Sequence, residues 1–174
     1  TGASLDLGGI AKGYIADSVC KTLGATGASL VNAGGDIACS QRASDEMWSI
    51  EVDLAAPSHE PDGGTDRHHP NDEPLVLTLD AGGIATSGVT RRRWVDPGSG
   101  ITQHHVIDPL TGTSVRTDAA SVTVVADCCT TAEVWATALL VAGAHAAIAE
   151  AQAADLASVI CCADGSVVFT GPLG

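Results

Sequence analysis

Aromatic residues make up only 3% of this 174-residue chain, while hydrophobic residues reach 45%. The interior must therefore be filled by Ala, Val, Ile and Leu rather than by stacked rings. Basic residues are scarce too: eight Lys plus Arg stand against 21 Asp plus Glu, a formal net charge of −13 at pH 7. That balance argues against nucleic acid and against an anionic membrane surface as partners, since both would be repelled. An anionic small molecule would have to be held by local N–H groups, a lysine or a bound cation acting against the overall field. Long apolar runs are also missing. The most apolar stretch, Val134–Ala149, contains Thr137, Gly143 and His145 and is bounded by Glu133 and Glu150. It falls short of the ~20 residues a membrane span needs and reads as a buried helix. The six cysteines (Cys20, Cys39, Cys128, Cys129, Cys161, Cys162) include no C-x-x-C pair. A zinc knuckle is excluded on that spacing, and the thiols read as small buried hydrophobes. No signal-peptide or lipid-attachment pattern opens the sequence, so it assigns no compartment.

The length suits a single domain with a sizeable core. Ile10, Tyr14, Ile15, Val19 and Leu23 recur at helical spacing, which predicts a helix over Ala11–Leu23 that stops before Gly24. Strands are expected at Ser29–Ala33, Trp48–Leu54, Leu75–Leu79, Gly83–Thr86 and Ser121–Ala126. A long Ala-rich helix follows over Thr130–Ala153, loosened near Gly143. Val159–Cys162 and Ser166–Phe169 flank Asp164–Gly165, a strong hairpin signal. Strands outnumber helices and come in antiparallel runs, so the class is α+β, with helices packed on an antiparallel or mixed sheet. Ala55–Pro74, rich in Pro, Gly, His and acids, reads as a long flexible surface loop. His59, His68 and His69 stand there beside Asp62, Asp66 and Asp72, but no regular spacing aligns them as metal ligands.

Four polar, glycine-rich islands carry the chemistry: DLGGIAKG (Asp6–Gly13), NAGGDI (Asn32–Ile37), ATSG (Ala85–Gly88) and HHVIDPLTG (His104–Gly112). Glycine lets backbone N–H groups approach a ligand closely, and the first island opens a helix whose N-terminus favours anions. Lys12 could pair with a phosphate there, and Asp6 could cap the loop or bond a ligand. Asn32 and Asp36 flank Gly34–Gly35, a pattern equally suited to a tight turn. Glu133 and Thr137 stand four apart on the last long helix and share a face. With a backbone carbonyl they offer hard oxygen ligands of the kind Mg²⁺ accepts alongside phosphate oxygens and water. His105 could bond a phosphate, stack on a ring or move a proton, while a His beside Asp108 in a stiff Pro109–Gly112 turn can also be structural.

Taken in order, DLGGIAKGYIAD (Asp6–Asp17), NAGGDI, ATSG, HxIDPxTG, and SVTVVA (Ser121–Ala126) leading into AExxAT (Ala132–Thr137) resemble the ApbE family, formerly labelled thiamine-biosynthesis lipoproteins. The likeness runs through nearly the whole chain. It implies an ApbE-like, T-fold-like architecture corresponding to the C-terminal part of the family. It also implies an FAD:protein FMN transferase: Mg²⁺-dependent cleavage of the FAD pyrophosphate, transfer of FMN to a threonine hydroxyl of a target flavoprotein, and release of AMP. An FAD pyrophosphatase and a flavin-binding module without catalysis are the other readings, and a homodimer is a further partner expectation. By motif position, Asp6 and Lys12 would contact FAD, with Gly34, Gly35, Asp36, Ser87, His105 and Ile107 lining the cleft. Lys12, Glu133 and His105 would be catalytic; the Gly9 carbonyl, Glu133 and Thr137 would hold Mg²⁺. Glutamate at 133 departs from the family's usual aspartate. The roughly hundred-residue region that normally precedes these motifs, and that helps hold the adenosine half of FAD, lies outside the matched part. Family members are often exported or membrane-anchored.

Overall fold

A computed structural model describes residues 5–43, 46–54 and 74–173. Its elements run α1 (Ala11–Gly24), β1 (Leu30–Ala33), β2 (Asp36–Cys39), β3 (Trp48–Val52), β4 (Leu75–Leu79), β5 (Gly82–Gly88), β6 (Arg93–Val95), β7 (Thr102–His104), β8 (Ala119–Ala126), α2 (Cys129–Ala142), α3 (Ala144–Ala153), β9 (Ala157–Cys162) and β10 (Val167–Thr170). Six strands form one antiparallel sheet in the order β1-β2-β5-β8-β9-β10. The pairs β3–β4 and β6–β7 form separate two-stranded sheets.

The α+β class with antiparallel pairing is as the sequence predicts. β8 runs through the centre with its first six residues buried. Successive strand residues face opposite sides of a sheet. Val122, Val124 and Ile160 accordingly pack with Leu139 and Leu140 of α2 in the larger core. Val159 and Cys161 face the other way, onto Ile50, Val52, Leu77 and Leu79 of β3 and β4. The sheet is thus covered by α2 and α3 on one face and by the β3–β4 pair on the other.

Several expectations need correction. The predicted helix over Thr130–Ala153 is two helices, because Gly143 at φ 85° breaks it and Ala144 restarts under the Asp118 carboxylate. β2 lies inside what reads as a turn island, and β6 and β7 are short strands absent from the sequence reading. β4 and β5 are consecutive yet do not pair; β4 joins β3, and β5 joins β2 and β8. The greater part of the loop expected at 55–74 lies outside the described residues, as do His59, His68 and His69.

The apolar stripe of α1 points the wrong way for a core. Tyr14 is 65% and Ile15 55% exposed, and Ile10, Val19 and Leu23 are exposed as well. Gly13, Ala16 and Cys20 are buried instead. Small residues win that face because α1 lies very close to the start of α2: a Cβ added to Gly13 would sit 2.7 Å from the Cys129 carbonyl oxygen. Gly83 of β5 leaves similar room, with only 2.1 Å between an added Cβ and the Cys129 nitrogen. All six cysteines are free thiols, four of them buried, as the small-hydrophobe reading expects.

Candidate active site at the crossing of two helices

The loop before α1 is tied by its own residues. Asp6 accepts the Gly8 N–H at 2.7 Å, and the Leu7 carbonyl takes the Ile10 and Ala11 N–H groups at 3.1 and 2.9 Å. Asp6 therefore acts as the loop's cap, one of its two expected roles. The loop delivers Lys12 into the first turn of α1, where its ammonium pairs with Asp36. The same ammonium stands 3.5 Å from Glu133 Oε1. Asp36 reaches this point because Gly34 and Gly35, at φ 71° and 106°, turn β1 back into β2. Asn32 Oδ1 accepts the Gly35 N–H at 2.8 Å and closes that turn. Both glycines thus have a turn-forming job.

Glu133 enters from α2 and is 2% exposed; Asp36 is 1% exposed. Glu133 Oε2 accepts the Gly13 N–H at 2.8 Å. Among the described residues, Oε1 has no hydrogen-bond partner although it is buried. Burial pushes the Glu133 carboxyl above its ordinary range, and the Asp36 charge adds to the rise; the Gly13 N–H and Lys12 oppose it. Two buried carboxylates sharing one lysine leave an uncompensated negative charge, which a low-dielectric site tolerates poorly.

One turn along α2, the Thr137 hydroxyl lies 2.8 Å from that of Ser87 at the end of β5. Gly9 backs onto the same threonine: its added Cβ would stand 3.6 Å from Thr137 Cγ2 and 3.8 Å from Oγ1. The fold therefore gathers Gly9, Lys12, Asp36, Ser87, Glu133 and Thr137 around one corner of the sheet. Among the described residues, no group of three or more His, Cys, Asp or Glu side chains is placed to hold a metal. The candidate donors for a cation are instead one carboxylate, one hydroxyl and one carbonyl. The Glu133 oxygen that accepts no hydrogen bond and the surplus negative charge fit a hard cation that brings the rest of its shell as water or phosphate oxygens.

The HHVIDPLTG island carries the remaining candidates. His105 is exposed, and desolvation together with the charges of Arg92, His104 and Lys12 depresses its pKa. Lys12 is thus within electrostatic reach of His105. His104, by contrast, is structural: its Nε2 bonds the Val115 carbonyl at 3.0 Å and its Nδ1 accepts the Val106 N–H at 3.3 Å. Asp108 is a turn residue, accepting from the Leu110 N–H at 2.8 Å and the Thr111 hydroxyl at 3.1 Å. Ile107 is about half exposed and bridges to Ser114. A cavity of about 360 Å³ lies behind β6 and β7, lined by Arg93, His104, Val115 and Arg116, with none of Lys12, Asp36 or Glu133 in its wall.

Two residues of this site escape the sequence reading. Gly13 donates its N–H to Glu133, and Asp17 accepts the Cys129 and Thr130 N–H groups at 2.9 and 2.8 Å. Both lie inside the first motif, but their partners stand more than a hundred residues away, and no local signal points to them.

No helix of the described residues is long and apolar enough to cross a membrane. Comparison with known proteins places this geometry. The chain is 35% identical over 157 residues to the FAD:protein FMN transferase of Treponema pallidum (strain Nichols), covering 82% of this chain and 39% of that protein. It is 30% identical over 146 residues to the enzyme of the same name from Salmonella typhimurium (strain LT2), covering 82% and 38%. The crystal structure of the ApbE protein of Thermotoga maritima superposes with a TM-score of 0.75 at 28% identity, covering 96% of this chain and 51% of that one. The apo Pseudomonas stutzeri flavinyl transferase ApbE gives 0.73 at 25% identity, covering 96% and 49%. The chain thus spans about two fifths of the length of these curated relatives and about half of the solved structures. The ApbE family profile matches residues 1–160, nearly all of the sequence, and the chain belongs to that family.

Proposed function

We propose that this chain carries the cation and pyrophosphate end of an FAD:protein FMN transferase site, moving FMN from FAD to a threonine hydroxyl of a target flavoprotein and releasing AMP. The observation that carries the reading is the buried Glu133 Oε1, which accepts no hydrogen bond among the described residues and shares the single Lys12 ammonium with buried Asp36. Glu133, the Thr137 hydroxyl and the Gly9 carbonyl would hold Mg²⁺, which when bound neutralises pyrophosphate charge and polarises the phosphorus under attack. Asp36 fixes the Lys12 ammonium, so that its positive charge stands ready without rearrangement as the phosphate accumulates charge. The Gly13 N–H favours the ionised form of Glu133 and so opposes part of the rise that burial causes. His105 is kept neutral by its surroundings, which suits it to accept a proton or a hydrogen bond on the flavin side. Asp6, Gly34, Gly35, Ser87 and Ile107 shape the remaining wall.

The test is direct. Incubation with FAD, Mg²⁺ and a threonine-bearing acceptor domain should yield a fluorescent covalent flavin on the acceptor and an equal amount of AMP. AMP with free FMN and an unlabelled acceptor would replace transfer by hydrolysis. FAD binding without AMP would leave a flavin-binding module and sink the enzymatic reading.

A further inference from the structure

The first turn of α2 is capped by another helix. Its own N-cap residue, Cys128, makes no side-chain cap bond, and its thiol lies beside the Thr131 hydroxyl at 3.1 Å instead. Asp17 of α1 fills the role. One carboxylate oxygen takes the Cys129 N–H at 2.9 Å; the other takes the Thr130 N–H at 2.8 Å and the Thr130 hydroxyl at 2.5 Å. These backbone N–H groups are among those that a helix leaves free at its N-terminus, where the dipole also favours a negative charge.

Asp17 and Gly13 are one turn apart and share a face of α1. Cys129 and Glu133 are one turn apart on α2. The two contacts run in opposite order along the helices: Asp17 meets Cys129 and Thr130, and Gly13 meets Glu133. Two attachments a turn apart fix both the slide and the roll of one helix against the other. A slip by one turn would carry Glu133 about 5.4 Å from the Gly13 N–H. The absence of a Cβ at Gly13 allows the close approach, and the Asp17 carboxylate sets the register.

From this geometry we propose that Asp17 is a positioning residue: it locks α2 on α1 so that the Glu133 carboxylate is presented to the Gly13 N–H and to Lys12. A second consequence follows for ligand recognition. The α2 N-terminus, otherwise a natural phosphate seat, is already filled by Asp17. A bound pyrophosphate is therefore directed to Lys12 and the Glu133 corner.

Nuclear magnetic resonance of the ¹⁵N-labelled chain tests the positioning role without FAD, metal or acceptor, so the result stands apart from the proposed transfer. In the unsubstituted protein the Gly13 amide should be protected from solvent exchange, since it is hydrogen-bonded to Glu133 across the two helices. In Asp17→Ala the Cys129 and Thr130 amides should exchange about tenfold faster, as expected for loss of a capping carboxylate. The Gly13 amide should lose its protection by about tenfold as well, because Glu133 no longer meets that N–H in register. Asp17→Asn retains one acceptor and the side-chain size, and should restore most of the Gly13 protection, which covers the case in which the alanine variant fails to fold. Full Gly13 protection in a folded Asp17→Ala protein, or an Asp17→Asn protein no better than the alanine variant, overturns the proposal and leaves Asp17 a helix cap.

Discussion

The two sides of the site are built on different physics. On the helix side, Lys12, Asp36 and Glu133 are held at a crossing of glycines and alanines, with two nearly fully buried carboxylates. On the hairpin side, His105, Ile107, Arg92 and Trp94 are exposed on short strands and tied turns. The first side has its charges fixed by neighbouring groups before any ligand arrives, the preorganisation that the proposed transfer would use. The second offers accessible side chains, Trp94 on the two-stranded β6–β7 sheet and the others on the bends and bridge beside it. Charge placement demands close packing; recognition does not.

Substitutions that separate the sides should differ in kind. The largest effect belongs to Gly13→Ala. Its Cβ would meet the Cys129 carbonyl oxygen at 2.7 Å, so the helices must separate. Chemical denaturation should show a loss of about 2–3 kcal/mol, the cost of overpacking a tight contact.

Glu133→Gln comes next and should move activity and stability in opposite directions. Turnover should fall by about a hundredfold or more, the scale of losing a principal charge in such a site. Glu133→Asp should keep or raise it. Stability follows from linkage. The Glu133 carboxyl is raised from its ordinary 4.5 in the folded chain, so its favourable contribution is present below about that pH and is lost as pH rises through the folded value. At neutral pH without metal the glutamine variant should therefore melt higher by about a few degrees, and the gain should vanish in acid. Added Mg²⁺ should raise the melting temperature of the unsubstituted chain and leave Glu133→Gln unmoved. A metal-dependent shift in the glutamine variant would remove Glu133 from the cation site.

On the exposed side, His105→Ala should cost about tenfold in turnover with no change in melting temperature. Because its pKa is depressed, His105 stays neutral through pH 7, and the rate it supports should fall only below the ordinary histidine range. Arg91→Ala should be smaller still. Its pairing with Asp53 at 2.6 Å is exposed on both partners, and denaturation should register less than about 0.5 kcal/mol.

What the sequence discloses follows the range of each signal. The hairpin at Asp164–Gly165, the stop at Gly24 and the weakness at Gly143 rest on residues a few positions apart, and each is legible. The ordered islands bring Lys12, Asp36, Ser87, Glu133 and Thr137 to one family pattern, and the fold gathers them. The buried face of α1 is not legible, because hydropathy weighs Tyr14 and Ile15 above Gly13 and Ala16, while close helix approach rewards the small residues. β2 is hidden because four residues after a glycine turn carry almost no periodicity. Asp17 looks like any acidic residue on a helix until its partners arrive from the far end of the sequence.

That distance has a consequence for how the site comes into being. The bond from the Gly13 N–H to Glu133 joins residues 120 positions apart. Lys12 can find its pairing with Asp36 when only the first hairpin has formed, but Glu133 has no seat until α2 has docked across the finished centre of the sheet. Contacts of such separation carry a large loop-closure entropy, which the packing of α2 on the sheet must offset. The seat of Glu133 therefore exists only where α1 and α2 have met, and any ligand that selects it selects molecules in which both ends of this long contact are in place.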